Sequence, residues 1–391
     1  MLVYIVTLIL SLMCAYASDK VAGTGNENSA AAGKKLRIRI NRFSRTIIRL
    51  KGNPFADKSI FLAFLSFLPL YIVSAIRYMV GTDYSGTYRT IYNYTYNDGW
   101  HFSFNGETLY GLLNKIASIY SGDNYIGVFA LSSLVVIGFI FWGLRNQSVN
   151  FTYSVLLFVL SGYYFWSFNA VRQMAAMAIF LYAYRFVEER KPFKYLFFII
   201  LAYGFHTVAL LYLPVYFIGK VKVNFPAIIS GAVILVIFPT TWRDLAYGIS
   251  SRLAVFSTYV ERYFDSSKFS SYTESSLIHV LINALFLALY IVISLIYDKK
   301  REKSNVWINF QIIAFGFSAL ASILPLANRL SRMFSIMQIL SIPVMTGLIS
   351  DKRIRILINL AIIICFAMYS YVTFYVLGYH DVFPYRTIFN R

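Results

Sequence analysis

The side chains able to hold a phosphate or move a proton stand at the edges of long apolar runs. Arg77 closes one such run in AIRYMVGTDY, with Asp83 shortly after it. Arg172 and Gln173 open another in NAVRQMAAMAIF, and His206 interrupts the apolar stretch 193–219. Arg329 and Arg332 share the short segment ANRLSR, and Glu107 begins an amphipathic stretch. Ionisable groups at membrane depth are costly, so each is a candidate for function. Arginine is suited to phosphate and diphosphate because its planar fork binds their oxygens in pairs and stays charged. Its ordinary alternative is to snorkel to lipid headgroups from a helix end, which fits Arg77, Arg329 and Arg332 taken singly. Arg172 differs, because Gln173, Ala175, Ala176 and Ala178 beside it indicate close helix packing rather than lipid exposure.

His206, Asp83 and Glu107 are the candidate bases. His206 suits a proton acceptor, a diphosphate contact or a core histidine bonded across helices. Asp83 and Glu107 also fit as a turn residue and as a favourable charge at a helix start. His101, His279 and His380 show no ligand spacing, and Cys14 and Cys365 lie far apart inside apolar runs. The sequence therefore predicts no metal site, no cofactor and no disulfide framework. It has neither a Walker A motif nor an Asp-x-Asp pair, the latter arguing weakly against metal-dependent use of nucleotide sugars.

The elements that must position these residues follow from composition. The chain has 391 residues, 58% hydrophobic and only 14% charged, with a mean hydropathy of +0.61. That deficit of charge excludes an ordinary soluble enzyme, a disordered protein and a coiled coil. The net charge of +19 would point to nucleic acid in a soluble chain; here it points to basic loops on one side of a membrane. Apolar stretches fall at 2–17, 59–77, 124–144, 150–168, 170–187, 225–240, 277–297, 305–326, 333–350 and 355–378. The expectation is an all-α polytopic integral membrane protein. It has about 10 transmembrane helices and one re-entrant helical hairpin at 193–219, within a single transmembrane domain spanning 1–391.

Orientation follows the basic clusters. The first apolar run has no Lys or Arg before it, so it reads as a retained helix rather than a cleaved signal, with the N-terminus outside. The segment 18–58 behind it carries Lys34, Lys35, Arg37, Arg39, Arg42, Arg45, Arg49 and Lys51 and is assigned to the cytoplasm. Arg145, the 185–194 turn, DKKREK and DKRIR join it there, so that nearly all of the excess charge is topological. A single crossing by 193–219 would throw the later basic clusters outside. A hairpin keeps them inside and sets Gly204 and His206 at its tip; a tilted crossing with another re-entrant segment later is the alternative.

Two large outer-face loops, 78–123 and 241–276, are rich in aromatic residues. The first holds Tyr84, Tyr88, Tyr92, Tyr94, Tyr96, Trp100, Phe102, Phe104 and Tyr110; the second holds Trp242, Tyr247, Tyr259, Tyr263, Phe264 and Tyr272. Aromatic faces suit sugar rings, and equally an interfacial belt. Amphipathic stretches in each loop (Leu109 to Ile119, and Leu245 to Phe256) are expected to lie along the interface.

At these residues the sequence resembles the EpsG family, Wzy-type membrane proteins of bacterial polysaccharide assembly. The resemblance rests on RYMVGTDYSGTY following AI, GETLYGLLN, NAVRQMAAMAIFLYAYRF, FKYLFFIILAYGFHTVALLYLP and the closing FPYR. It is densest from Arg77 to about Pro214; the basic segment 18–58 is a departure from it. The resemblance implies polymerisation of undecaprenyl-diphosphate-linked oligosaccharide repeats on the outer face of the bacterial cytoplasmic membrane. On that reading Arg77, Arg172 and one of Arg329 or Arg332 hold the diphosphate with Gln173 and Tyr84 nearby. His206, Asp83 or Glu107 takes the proton. The implied partners are the lipid-linked repeats, membrane lipids, and a flippase and chain-length regulator of the same pathway, with no nucleic acid. A flippase for the same glycolipid is the competing class, although it should show a two-fold repeat that this chain lacks. An oligosaccharide ligase is a further alternative.

Overall fold

The computed structural model describes residues 1–31, 54–99, 107–222, 224–252, 277–322 and 324–389. Most of the basic segment 18–58, and Trp100, His101, Phe102, Phe104, Leu253, Phe256, Tyr259, Tyr263, Phe264 and Tyr272, lie outside them. Among the described residues every regular element is a helix, and the extended pairing is a single antiparallel bridge between Arg77 and Thr387.

Among the described residues six helical segments are long and apolar enough to cross a membrane: Leu2–Gly23, Asp57–Ala75, Ile126–Gln147, Leu277–Tyr297, Asn305–Ser322 and Lys352–Val376. They match six of the ten expected spans. The other four take different forms. The 150–168 stretch breaks at Gly162, whose φ of 85° suits glycine, into Phe151–Leu160 and Tyr163–Trp166. The 170–187 stretch is the helix Val171–Glu188. The 225–240 stretch gives Phe225–Ile237 and then Pro239–Arg252, where a proline starts a new helix. The 333–350 stretch divides between Ala327–Ser335 and Gln338–Gly347.

The chain forms two compact units. The first comprises Met1–Tyr216 and Asp351–Arg391. In it Leu2–Ala31 lies along Pro54–Ala75, and the Ser18 and Ser59 hydroxyls bond to each other's backbone carbonyls at 2.8 and 3.1 Å. The Asp19 carboxylate accepts from the amide and hydroxyl of Thr152, at 2.9 and 2.6 Å, satisfying donors at the start of Phe151–Leu160. Helix Val171–Glu188 is buried on almost every side, because Ala175, Ala176, Ala178 and Ala183 let neighbouring backbones come close. Gly143 serves the same approach: a Cβ there would stand 2.9 Å from Leu181.

The long apolar run forms helix Pro192–Tyr203, a turn at Gly204–His206, and the 3₁₀ helix Thr207–Lys220. The Tyr195 hydroxyl donates to the Tyr212 carbonyl at 2.5 Å, and the Tyr195 and Tyr216 rings lie 5.6 Å apart. Residues so far apart in one straight helix would be separated by about 25 Å. The run therefore folds back on itself, with His206 at the bend.

The second unit, Phe217–Ser350, is built round Leu277–Tyr297. One face of that helix carries polar groups, each met by a partner. The Arg332 guanidinium donates to His279 Nε2 at 2.9 Å, which makes that nitrogen an acceptor. The Asn283 amide donates to the Ser331 hydroxyl and accepts from Gln311 and Gln338 at 3.1 Å each. Further along, Tyr290 pairs with Ser341 and Ser294 with Ser304.

Candidate active site

Within the first unit, four sequence segments that look unrelated along the chain meet. Helix Thr108–Ser121 begins against the bend at residues 204–206: the amides of Leu109 and Tyr110 donate to the Gly204 carbonyl at 2.8 and 3.3 Å. That contact satisfies amides which a helix start leaves without intrahelical partners. It also brings Glu107, just before the helix, up to His206. One carboxylate oxygen, Glu107 Oε1, is ion-paired with Arg172 Nη1 and lies 3.8 Å from His206 Nδ1. The Arg172 guanidinium also stands over the Tyr110 ring, 5.9 Å from its centre. The Arg172 and His206 side chains each keep 23% exposure and Glu107 keeps 40%, so all three remain open to a ligand.

Arg172 is placed by the turn before its helix. The Tyr88 hydroxyl donates to the Asn169 carbonyl and accepts from the Val171 amide at 2.8 Å. Burial pushes the Tyr88 hydroxyl up to about 12, so it keeps its proton for that bond. The Asn169 side chain accepts from the Thr82 hydroxyl at 2.8 Å and the Asp83 amide at 3.2 Å, and donates to the His380 carbonyl at 3.1 Å. Gly81 completes the junction. Its φ is 113°, and a Cβ on it would sit 2.9 Å from the Phe168 carbonyl oxygen. The C-terminal segment is held by the same region. The Tyr78 amide bonds to the Arg386 carbonyl and the Ile388 amide to the Ile76 carbonyl, both at 3.0 Å, and Gly81 donates to Asp381 at 3.1 Å.

The expected site residues thus separate. Glu107, Arg172 and His206 come together. Asp83 is half-buried at the Asn169 junction. Gln173 is buried in its helix, and Tyr84 is buried with its ring stacked 4.1 Å from Phe129, so neither offers the open face a sugar requires. Arg77 is also enclosed, at 1% exposure. Its guanidinium lies between the rings of Phe129 and Phe168, 4.7 and 4.8 Å from their centres, and donates to the Ser74 carbonyl and to the hydroxyls of Ser74 and Ser133. This geometry gives Arg77 a packing role in place of the expected outward one. Arg329 and Arg332 belong to the second unit, where Arg329 is exposed and Arg332 faces His279.

Asn169 and Tyr88 carry more of the site's geometry than their sequence positions suggest. The available signal was a carboxamide ending the aromatic run YYFWSFN immediately before the arginine helix. Among the described residues no cluster of three His, Cys, Asp or Glu side chains could hold a metal ion.

Long apolar helices, a fold-back at a histidine and a half-open Glu–Arg–His cluster define an all-helical protein of membrane type with one polar site in its first unit. The chain belongs to the EpsG family, whose sequence model matches residues 60–387. That membership indicates a function of the polysaccharide-polymerase type. Comparison with curated proteins and with solved structures gives no match.

Proposed function

We propose that this protein polymerises oligosaccharide repeats carried on undecaprenyl diphosphate, at the outer face of the bacterial cytoplasmic membrane. The observation that carries the reading is the convergence of Glu107, Arg172 and His206 from three separate segments onto one carboxylate oxygen. An acceptor-sugar hydroxyl attacks the anomeric carbon of the growing chain. The bond from that carbon to the diphosphate oxygen breaks, and the lipid diphosphate leaves with the electron pair. Arg172 answers the charge that develops on the leaving diphosphate, where a preorganised cation is most effective. His206 receives the hydroxyl proton. Glu107 holds Arg172 and faces Nδ1 of His206, which favours a protonated Nδ1 and leaves Nε2 as the base. The proposal does not need Arg329 or Arg332.

In this reading the protein spans the membrane about 10 times with its N-terminus outside, and 193–219 enters and leaves from the cytoplasmic side. Its partners are the lipid-linked repeats, membrane lipids, and the flippase and chain-length regulator of the same pathway. The test is glycolipid profiling of a deletion strain complemented with wild-type, Arg172→Ala or His206→Ala protein. The expected result is short lipid-linked repeats accumulating outside in the deletion strain and in both variants at normal protein level. Accumulation inside would indicate a flippase. Long chains that fail only to be attached would indicate a ligase. Long polymer from both variants would remove the site assignment.

A further inference from the structure

We infer that Asn169 is the positioning residue of this site: its carboxamide fixes the 80–83 turn and the C-terminal segment against the start of Val171–Glu188, and so sets the direction of Arg172. The inference rests on the reading of Arg172 as the diphosphate contact. Asn169 is 3% exposed and uses both ends of its amide at once. The oxygen accepts from Thr82 and Asp83, and the nitrogen donates to His380, whose residue number is 211 positions away. Its own carbonyl accepts from the Val171 amide at 2.8 Å and from the Tyr88 hydroxyl, which in turn receives the Val171 amide. The turn that precedes Arg172 is therefore fastened from three directions. Only a carboxamide of this length supplies an acceptor and a donor there. A carboxylate would set a lone pair against the His380 carbonyl, and the missing Cβ at Gly81, which would stand 3.2 Å from Asn169 Oδ1, gives the carboxamide its place.

The function follows from the distance over which an arginine fork works. Bidentate bonds to a diphosphate demand alignment, and a small rotation of the first helical turn costs one of the two bonds. Asn169 does not touch the ligand in this scheme; it acts through Arg172 alone. A side chain that acts only through another shows no effect once the other is gone, and this separates positioning from general loss of structure.

The experiment is a double-mutant cycle on the full-length protein in detergent, reading binding of undecaprenyl diphosphate. Asn169→Asp is expected to weaken binding about tenfold when Arg172 is present and to change nothing further in an Arg172→Ala background. Thr82→Val, at an exposed residue, removes one donor to Asn169 without disturbing the core and is expected to weaken binding in the same direction, while Thr82→Ser restores it. The Thr82 pair decides the matter if Asn169→Asp fails to fold. Equal loss in both Arg172 backgrounds, or no difference between Thr82→Val and Thr82→Ser, would overturn the inference. If Arg172→Ala itself binds as the wild type does, the assignment of Arg172 fails first, and the inference about Asn169 falls with it. Loss on Arg172→Ala with none on Asn169→Asp removes Asn169 alone.

Discussion

Leu109 donates its backbone N–H to the carbonyl oxygen of Gly204 at 2.8 Å, tying the start of the helix after Glu107 to the bend that presents His206. A side chain at 204 would separate them, because a Cβ there would lie 2.5 Å from both Cγ and Cδ1 of Leu109. Gly204→Ala is therefore expected to cost roughly 1–3 kcal/mol in local strain, by pushing Glu107 away from His206. Polymer yield per folded protein should drop sharply while the protein still reaches the membrane. Wild-type polymer length from Gly204→Ala would show that this contact is not needed.

Glu107 is one of three candidate bases in the sequence, and in the structure it stands between the guanidinium and the imidazole. Glu107→Gln keeps the shape and removes the charge that holds both. An in vitro polymerisation assay should then lose on the order of 10²–10⁴ in rate, the range of a misplaced acid–base group. Glu107→Asp, shorter by one methylene, should retain more activity than Glu107→Gln. The reverse order would mean that the charge is not what matters.

What could be seen in advance follows a physical line. The six long apolar helices among the described residues were legible because uninterrupted apolar runs of that length have few other uses in a protein. The packed placement of Arg172 was legible because small neighbours on a helix imply close packing. Arg77 was not. A guanidinium ending an apolar run looks the same in sequence whether it meets headgroups or lies between Phe129 and Phe168. Asn169 was hidden for another reason, since its role is made of bonds to Thr82, Asp83 and His380, which no local pattern encodes. The breaks at Gly162 and between Phe225–Ile237 and Pro239–Arg252 were carried by single residues inside apolar runs, where hydropathy is blind to backbone conformation.

The packing role of Arg77 has its own consequence. Lysine keeps the charge but has no planar face to lie between the two rings. Arg77→Lys should reduce stability by about 2 kcal/mol, read as a lower melting temperature of the protein in detergent. Diphosphate binding per folded molecule should stay near the wild-type value. Loss of binding with an unchanged melting temperature would return Arg77 to the ligand.

Orientation in the membrane is testable with the two native cysteines, Cys14 and Cys365, replaced by alanine. Tyr120→Cys, at a side chain 85% exposed in the loop proposed to face outward, should react with an impermeant maleimide in spheroplasts. Lys194→Cys, exposed in the basic turn before the fold-back, should react only after the membrane is opened. Labelling of Lys194→Cys from outside would invert the proposed topology and remove the outer-face reading of the Glu107 site.

In the second unit the polar face of Leu277–Tyr297 makes a separate prediction. Asn283 accepts from both Gln311 and Gln338 and donates to Ser331, so three neighbouring elements share one carboxamide. Asn283→Leu is close in size, but it removes a hydrogen-bond partner from each neighbour in a place water does not reach. A buried donor left unmet costs roughly 1–3 kcal/mol, although partners found in an unfolded membrane state reduce the net figure. The expected result is a lower melting temperature for Asn283→Leu. The triple replacement with Gln311→Leu and Gln338→Leu should recover part of that loss, because it removes the amide hydrogens left unmet, although it also gives up the bonds from Gln311 to the residue 283 carbonyl and from Gln338 to Gln311. If the single variant melts as the wild type does, the amides have found other partners and the network is not what joins these helices. If the triple variant is worse than the single, the amides stabilise the unit even without Asn283.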